Sequence, residues 1–368
     1  MMPRMMTIRA TRWAAILLVP LFIAGCSVQG DSNPAPTQTS SPQPAQRDLG
    51  VTLTLHQSAY MQGDAVIADV TITNLTKHNV KLLSWFMPSS ELEEATFVIT
   101  RGGARTDFLG PHYKRPHAVA GDFVHVAAGE TITGQVDLAR FYDFSVTGDY
   151  AIQFDTELKN LAPNLATVGQ VTSNIETVWI EARVTAAPAP DPIEPGPGNL
   201  GFSGRCSSTQ QQLIAEAVNG AQIISSNASN YLSSTPSGTP RYTEWFGAYT
   251  TSRWATVNDN FISIADAFST APIVVDCKCK KPYYAYVYPN QPYKIYVCKA
   301  FWSAPTMGTD SKAGTLVHEM SHFSVVAGTD DVVYGQSGCR SLALSNPDDA
   351  IRNADSHEYF AENTPVLP

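Results

Sequence analysis

The chain has 368 residues, and its 24 Lys and Arg against 33 Asp and Glu leave a formal net charge of −9. With no basic block anywhere, that balance argues against nucleic acid as a partner. A monomer is expected.

Arg4, Arg9 and Arg12 precede an apolar run from Trp13 to Gly25. A basic start followed by a run too short to span a membrane predicts an export signal over residues 1–25. Ile23-Ala24-Gly25-Cys26 resembles a bacterial lipobox, which makes Cys26 a candidate lipidation site. A lipid there would be the chain's one link to a membrane, and Ser27 beside it points to the outer membrane. The expected localisation is an exported precursor that releases a secreted mature chain. Residues 26–48 are rich in Pro, Ser, Thr and Gln and read as a disordered tether.

From 49 to 183 the pattern changes to short alternating runs, such as Val66-Ile67-Ala68-Asp69-Val70-Thr71-Ile72 and Tyr150-Ala151-Ile152-Gln153-Phe154. Gly63-Asp64, Asn74, Gly102-Gly103 and Gly148-Asp149 punctuate them as turns. This predicts an antiparallel β-sandwich of roughly 130 residues, an ordinary domain size. Residues 184–200 include Pro188, Pro190, Pro192, Pro195 and Pro197 and read as a stiff, exposed, cleavable linker. A second domain over 201–368, about 165 residues, is long enough for a sizeable core. Its cysteines are Cys206, Cys277, Cys279, Cys298 and Cys339. Export makes them disulfide candidates, with one left over. Tyr283, Tyr284, Tyr286, Tyr288, Tyr293 and Tyr296 flank a Pro-Asn-Gln-Pro turn and suggest an exposed hairpin near a cleft.

The most informative segment is His318-Glu319-Met320-Ser321-His322. On a helix two imidazoles one turn apart can converge on a zinc ion, with a carboxylate between them to take a proton from water. Leu316, Met320 and Phe323 form an apolar stripe nearly opposite the histidines. Asp310 or Ser311 can cap this helix, and Gly328 is a suitable stop. A catalytic zinc needs a third protein ligand. Val325 and Gly328 occupy the positions where a metzincin has Gly and His, which excludes that pattern. The remaining candidates are Glu358, in the manner of thermolysin, and Asp331, at the end of a glycine-containing turn. Asp330 beside it reads as a turn residue.

HExxH followed by Gly328-Thr329-Asp330-Asp331-Val332-Val333-Tyr334-Gly335 resembles the aspzincin (deuterolysin) family of secreted zinc endopeptidases, and most closely its peptidyl-Lys branch. That resemblance implies zinc bound by His318, His322 and Asp331, Glu319 as base, and Tyr334 as donor to the developing oxyanion. It also implies that Asp355 and Glu358, within Asn353-Ala354-Asp355-Ser356-His357-Glu358-Tyr359-Phe360, form an acidic S1′ pocket for lysine. At i and i+3 these two acids share a helix face, while His357 turns away and receives no catalytic role. The resemblance further implies the pairs Cys206–Cys277 and Cys279–Cys298, leaving Cys339 a buried free thiol.

The expected fold is therefore multidomain, an all-β sandwich propeptide followed by a mainly α (α+β) zincin-like catalytic domain. The propeptide is expected to act as an inhibitory partner until removed. Ser84-Trp85-Phe86-Met87-Pro88 and Pro111-His112-Tyr113-Lys114-Arg115-Pro116 are candidate blocking loops, with Lys114 in the acidic pocket and Trp85 over the zinc. Lys159 is the last lysine before Lys278. An enzyme strict for lysine therefore cannot cut its own linker: either another protease does so, or the specificity is looser than the pocket suggests. The expected activity is hydrolysis of proteins or peptides on the amino side of lysine. The alternatives are a non-catalytic surface lipoprotein that binds a partner through its β domain, and a metallo-amidase of cell-wall peptides.

Overall fold

A computed structural model describes residues 48–165, 169–183 and 193–368. The expected signal, Cys26 and the tether lie outside the described residues, as does the linker from 184 to 192.

The amino-terminal part is β-rich because its apolar residues recur every second position. Strands β1 (Leu49–Leu55) and β2 (Ile67–Asn74) pair antiparallel, and strict in–out alternation along β2 buries Ala68, Val70 and Ile72. Next come β3 (Phe97–Arg101), β4 (His112–Lys114), β5 (Thr131–Asp137), β6 (Gly148–Glu157) and β7 (Glu176–Ile180). One sheet runs β1-β2-β5; the other has β7-β6-β3 at its centre. The two share a core that includes Val70, Ile72, Ile99, Ile152 and Phe154. One departure from the antiparallel expectation is the parallel pairing of Ala59–Tyr60 with the edge of β7.

A second, separate core lies between Leu200 and Ala361 and mixes helices with a sheet. Its elements are β8 (Gly201–Ser203), α1 (Ser208–Ser234), α2 (Pro240–Phe246), α3 (Thr251–Thr270), β9 (Val274–Asp276), β10 (Ala285–Val287) and β11 (Lys294–Val297). Helices α4 (Lys312–His322), α5 (Gly335–Ser345) and α6 (Ala354–Glu362) follow, with short helical turns at Lys299–Ser303 and Pro347–Ala350. Helix α1 begins in a reciprocal Ser207–Gln210 capping box. It buries Ile214, Ala217, Ala221, Ile224 and Ala228, a three-and-four spacing that lays one stripe on the core. Cys206–Cys277 and Cys279–Cys298 are disulfides, and Cys339 is a buried thiol.

The sheet of this part runs β8-β9-β11-β10 and then β4. Strand β4 comes from the β-rich half, yet it pairs antiparallel with β10: Lys114 opposite Ala285, Tyr113 opposite Tyr286, His112 opposite Val287. The expected blocking loop at 111–116 is thus an added strand, and the tyrosine hairpin β10–β11 is its platform. That hairpin is less open than the sequence suggests, since Tyr283 is buried and Tyr286 half-buried against Tyr113.

Candidate metal centre and lysine pocket

Helix α4 is wholly buried from Lys312 to His322. Ser311 caps it by accepting from the Gly314 amide at 2.9 Å, and Glu362 holds the Ser311 amide and hydroxyl at 2.9 and 2.8 Å. Leu316, Met320 and Phe323 are fully buried, as the stripe requires. The helix ends at His322 rather than near Gly328, because Phe323 already has extended torsions (φ −59°, ψ 128°). This early exit frees the chain to turn back beneath the histidines. The Thr329 amide donates to the Ser321 carbonyl at 3.1 Å, and the Ser321 and Thr329 hydroxyls meet at 2.6 Å. Asn353 Oδ1 then accepts from both the Val332 and Val333 amides at 3.0 Å. These anchors carry Asp331 up to the helix, while Asp330 points to Arg352 at 3.1 Å.

Three ligand-type atoms converge as a result. His318 Nε2 and His322 Nε2 are 3.1 Å apart, and Asp331 Oδ1 is 3.2 Å from the first and 3.5 Å from the second. Zinc bonds of about 2.0–2.1 Å in tetrahedral directions put ligands about 3.3 Å apart, so this triangle matches one face of such a site. His322 Nδ1 donates to the Thr329 carbonyl at 2.8 Å, and His318 Nδ1 lies 2.8 Å from Asp355 Oδ1. With those protons facing outward, two Nε2 lone pairs and a carboxylate face one another in a buried space. Asp331 Oδ1 has no hydrogen-bond donor there. Three converging electron-rich atoms are repulsive without a cation, and nitrogen, nitrogen and oxygen donors suit zinc. The residues present fit the metal. His318 backed by a carboxylate and His322 by a carbonyl is the outer arrangement that orients zinc-binding imidazoles.

Glu319 is fully buried and neither of its carboxylate oxygens has a partner. Burial pushes it up to about 7, a range suited to a group that takes and returns a proton.

Asp355 and Glu358 project from α6 beside His318 and close on the ammonium of Lys114. Lys114 Nζ is 3.3 Å from Asp355 Oδ1 and 3.9 Å from Asp310 Oδ1, and also contacts Glu358 Oε2. The rings of Tyr284 and Tyr359 flank it at 5.4 and 5.8 Å. Lys114 is 1% exposed. Although burial opposes its charge, Asp355 and Glu358 hold it well above the ordinary lysine range. Burial also works against Asp355, yet Lys114 and His318 keep that carboxyl below its usual value. The deeper Glu358 is pushed well above its usual value by burial. Asp355 also receives the Gly335 amide at 2.6 Å, which fixes its rotamer. His357 lies apart from this chemistry, bonded to the Asn353 carbonyl and near Asn260.

Tyr334 Oη donates to the Tyr113 carbonyl at 2.9 Å and accepts from Arg115 Nη1 at 2.9 Å. Trp85 does not meet the histidines as expected. It packs edge-on to Tyr283 and Tyr334, with the Arg115 guanidinium over its ring at 4.8 Å. The ring that does reach them is His112, whose centroid is 4.7 Å from that of His322. No local pattern in the sequence pointed to it; only once residues 112–114 are known to be a strand do His112 and Lys114 share a face.

Similarity to known proteins follows the same residues. The family described as lysine-specific metallo-endopeptidase, the aspzincins, matches residues 231–362. An extracellular protease of Aeromonas hydrophila is 42% identical over 315 residues, spanning 82% of this chain and 89% of that protein. The chain belongs to the aspzincin family. It is a zinc metalloendopeptidase. Among its relatives, the peptidyl-Lys metalloendopeptidase of Armillaria mellea is 37% identical across 80% of this aspzincin and 86% of its own length. A solved zinc peptidase from Grifola frondosa shares 47% identity, covering 44% of this chain and all of its own, with a TM-score of 0.43.

Proposed function

We propose that this aspzincin is an exported endopeptidase precursor that hydrolyses peptide bonds on the amino side of lysine. His318, His322 and Asp331 would hold the zinc, which when bound supplies Lewis-acid activation of water and of the scissile carbonyl. Glu319 takes the proton of the attacking water and returns it to the leaving amine. Tyr334 donates to the carbonyl oxygen as negative charge develops on it. Asp355 and Glu358 receive the lysine ammonium on the carboxyl side of the cut.

The observation that carries this reading is the way the chain's own β4 lies in the cleft. Lys114 fills the acidic pocket while the carbonyl of the preceding Tyr113 rests on Tyr334. A substrate in the same register would present its X–Lys bond between the two. The β-rich region over 49–183 is then an inhibitory propeptide, joined through the Pro-rich linker of 184–200 to the catalytic region 201–368. Export is supported by the two disulfides and by the relative named an extracellular protease.

The test is digestion of a denatured protein by the mature enzyme. Cleavage before lysine is expected, lost on chelation, restored by zinc and absent from Glu319→Gln. Cuts that ignore lysine would overturn the specificity. Full activity in Glu319→Gln would overturn the assignment of the base.

A further inference from the structure

Strand β4 is held in cleavage register, and that poses a problem. The Tyr113–Lys114 bond has its lysine in the pocket and its carbonyl on Tyr334, so water added across that amide would yield a Tyr113 carboxylate and a Lys114 α-amine. A latent precursor must prevent that addition. Alternation along β4 turns His112 and Lys114 to the same side, toward α4 and α6, while Tyr113 faces Tyr283 and Tyr286. A ring nitrogen of His112 thereby comes within 4.8 Å of the ligand atoms of both His322 and Asp331. Its ring is tilted 53° to that of His322, and Phe108 supports it from behind at 6.0 Å.

We propose that His112 is a fourth protein ligand of the zinc in the precursor, taking the position that water needs. This rests on the reading of His318, His322 and Asp331 as the zinc site. A catalytic zinc keeps one position open, whereas a structural zinc is closed by four protein ligands. The β-rich region would convert the first into the second with one imidazole. Lys114 supplies the affinity of the lock, and His112 keeps the substrate-like strand from being cut. Removing the β-rich region reopens both positions together.

The experiment uses the full-length precursor carrying Glu319→Gln, so that the chain stays intact, loaded with zinc and examined by X-ray absorption. Three imidazoles and one carboxylate are expected; two imidazoles with a water oxygen would overturn the proposal without any change at His112. Adding His112→Ala should remove one imidazole, and an unchanged shell would again overturn it. His318→Ala in the same background reports on the underlying site separately: if its metal shell is unaffected, the zinc-site reading itself fails. With Glu319 restored, His112→Ala should accumulate a fragment beginning at Lys114, while the unaltered precursor should not. Equal scission in both would contradict the lock.

Discussion

Lys114 and Arg115 are adjacent, both cationic and both buried, yet different halves of the molecule neutralise them. Lys114 crosses to Asp355 and Glu358 on α6. Arg115 stays at home: its guanidinium pairs with Glu93 and Glu94 and is stacked by Trp85 and Tyr283. The carboxylates that neutralise Arg115 belong to the β-rich half and would leave with it, although Tyr283 and Tyr334 of the catalytic half also touch the guanidinium. Those of Lys114 would remain in the catalytic half, exposed to whatever cation arrives next. A buried ion pair is weak evidence for stability, because desolvation offsets much of the attraction. On the proposed function, its value is as a recognition site that exchanges one lysine for another.

Lys114→Ala tests that contrast most severely. Leaving two buried carboxylates without their cation costs about 3–5 kcal/mol. The full-length precursor should then cleave a lysine peptide roughly 10²–10³-fold faster than the unaltered precursor. No change would mean that the pocket contact does not hold the precursor latent. Arg115→Ala should act on a different quantity. It takes the cation from the largely buried Glu94, while Glu93 keeps Lys281 and Tyr283, so urea unfolding should shift by about 3 kcal/mol. The full-length precursor should stay far less active on a lysine peptide than Lys114→Ala does. A rise in precursor activity matching that of Lys114→Ala would break the division between the two cations. Tyr334 touches both strand neighbours, Tyr113 and Arg115, and separates binding from chemistry. Tyr334→Phe should lower kcat of the mature enzyme by about 10²-fold with little effect on KM, as loss of one oxyanion donor does. A pure KM effect would make it a binding residue only.

Much of the site was legible because its parts are local. HExxH fixes two ligand positions one turn apart, so four-residue spacing carries that geometry, whereas Asp355 and Glu358 share a helix face by spacing but were assigned to a pocket only through the family resemblance. Asp331 needed the family resemblance, since the turn that returns it depends on Asn353 bonding two amides twenty-odd residues away. The disulfide partners likewise came from resemblance rather than from spacing. The end of α4 was misjudged because Gly328 is a good helix stop, whereas tertiary contacts from Thr329 to α4 pull the chain out at Phe323. Strand β4 escaped detection for a stronger reason. It is three residues long and pairs with β10, whose Tyr286 is far from Tyr113 in sequence, so no local periodicity announces it. The same blindness hid His112 and assigned its place to Trp85, the larger aromatic.

The central claim, that a buried pair of carboxylates selects lysine after the cut, is tested most directly by two peptides. They differ only at the residue following the scissile bond, lysine in one and norleucine in the other, which keeps the chain length and removes the charge. With the mature enzyme, kcat/KM should fall about 10²–10³-fold for norleucine, the cost of leaving the pocket acids unpaired. Values within a few-fold of each other would contradict the account.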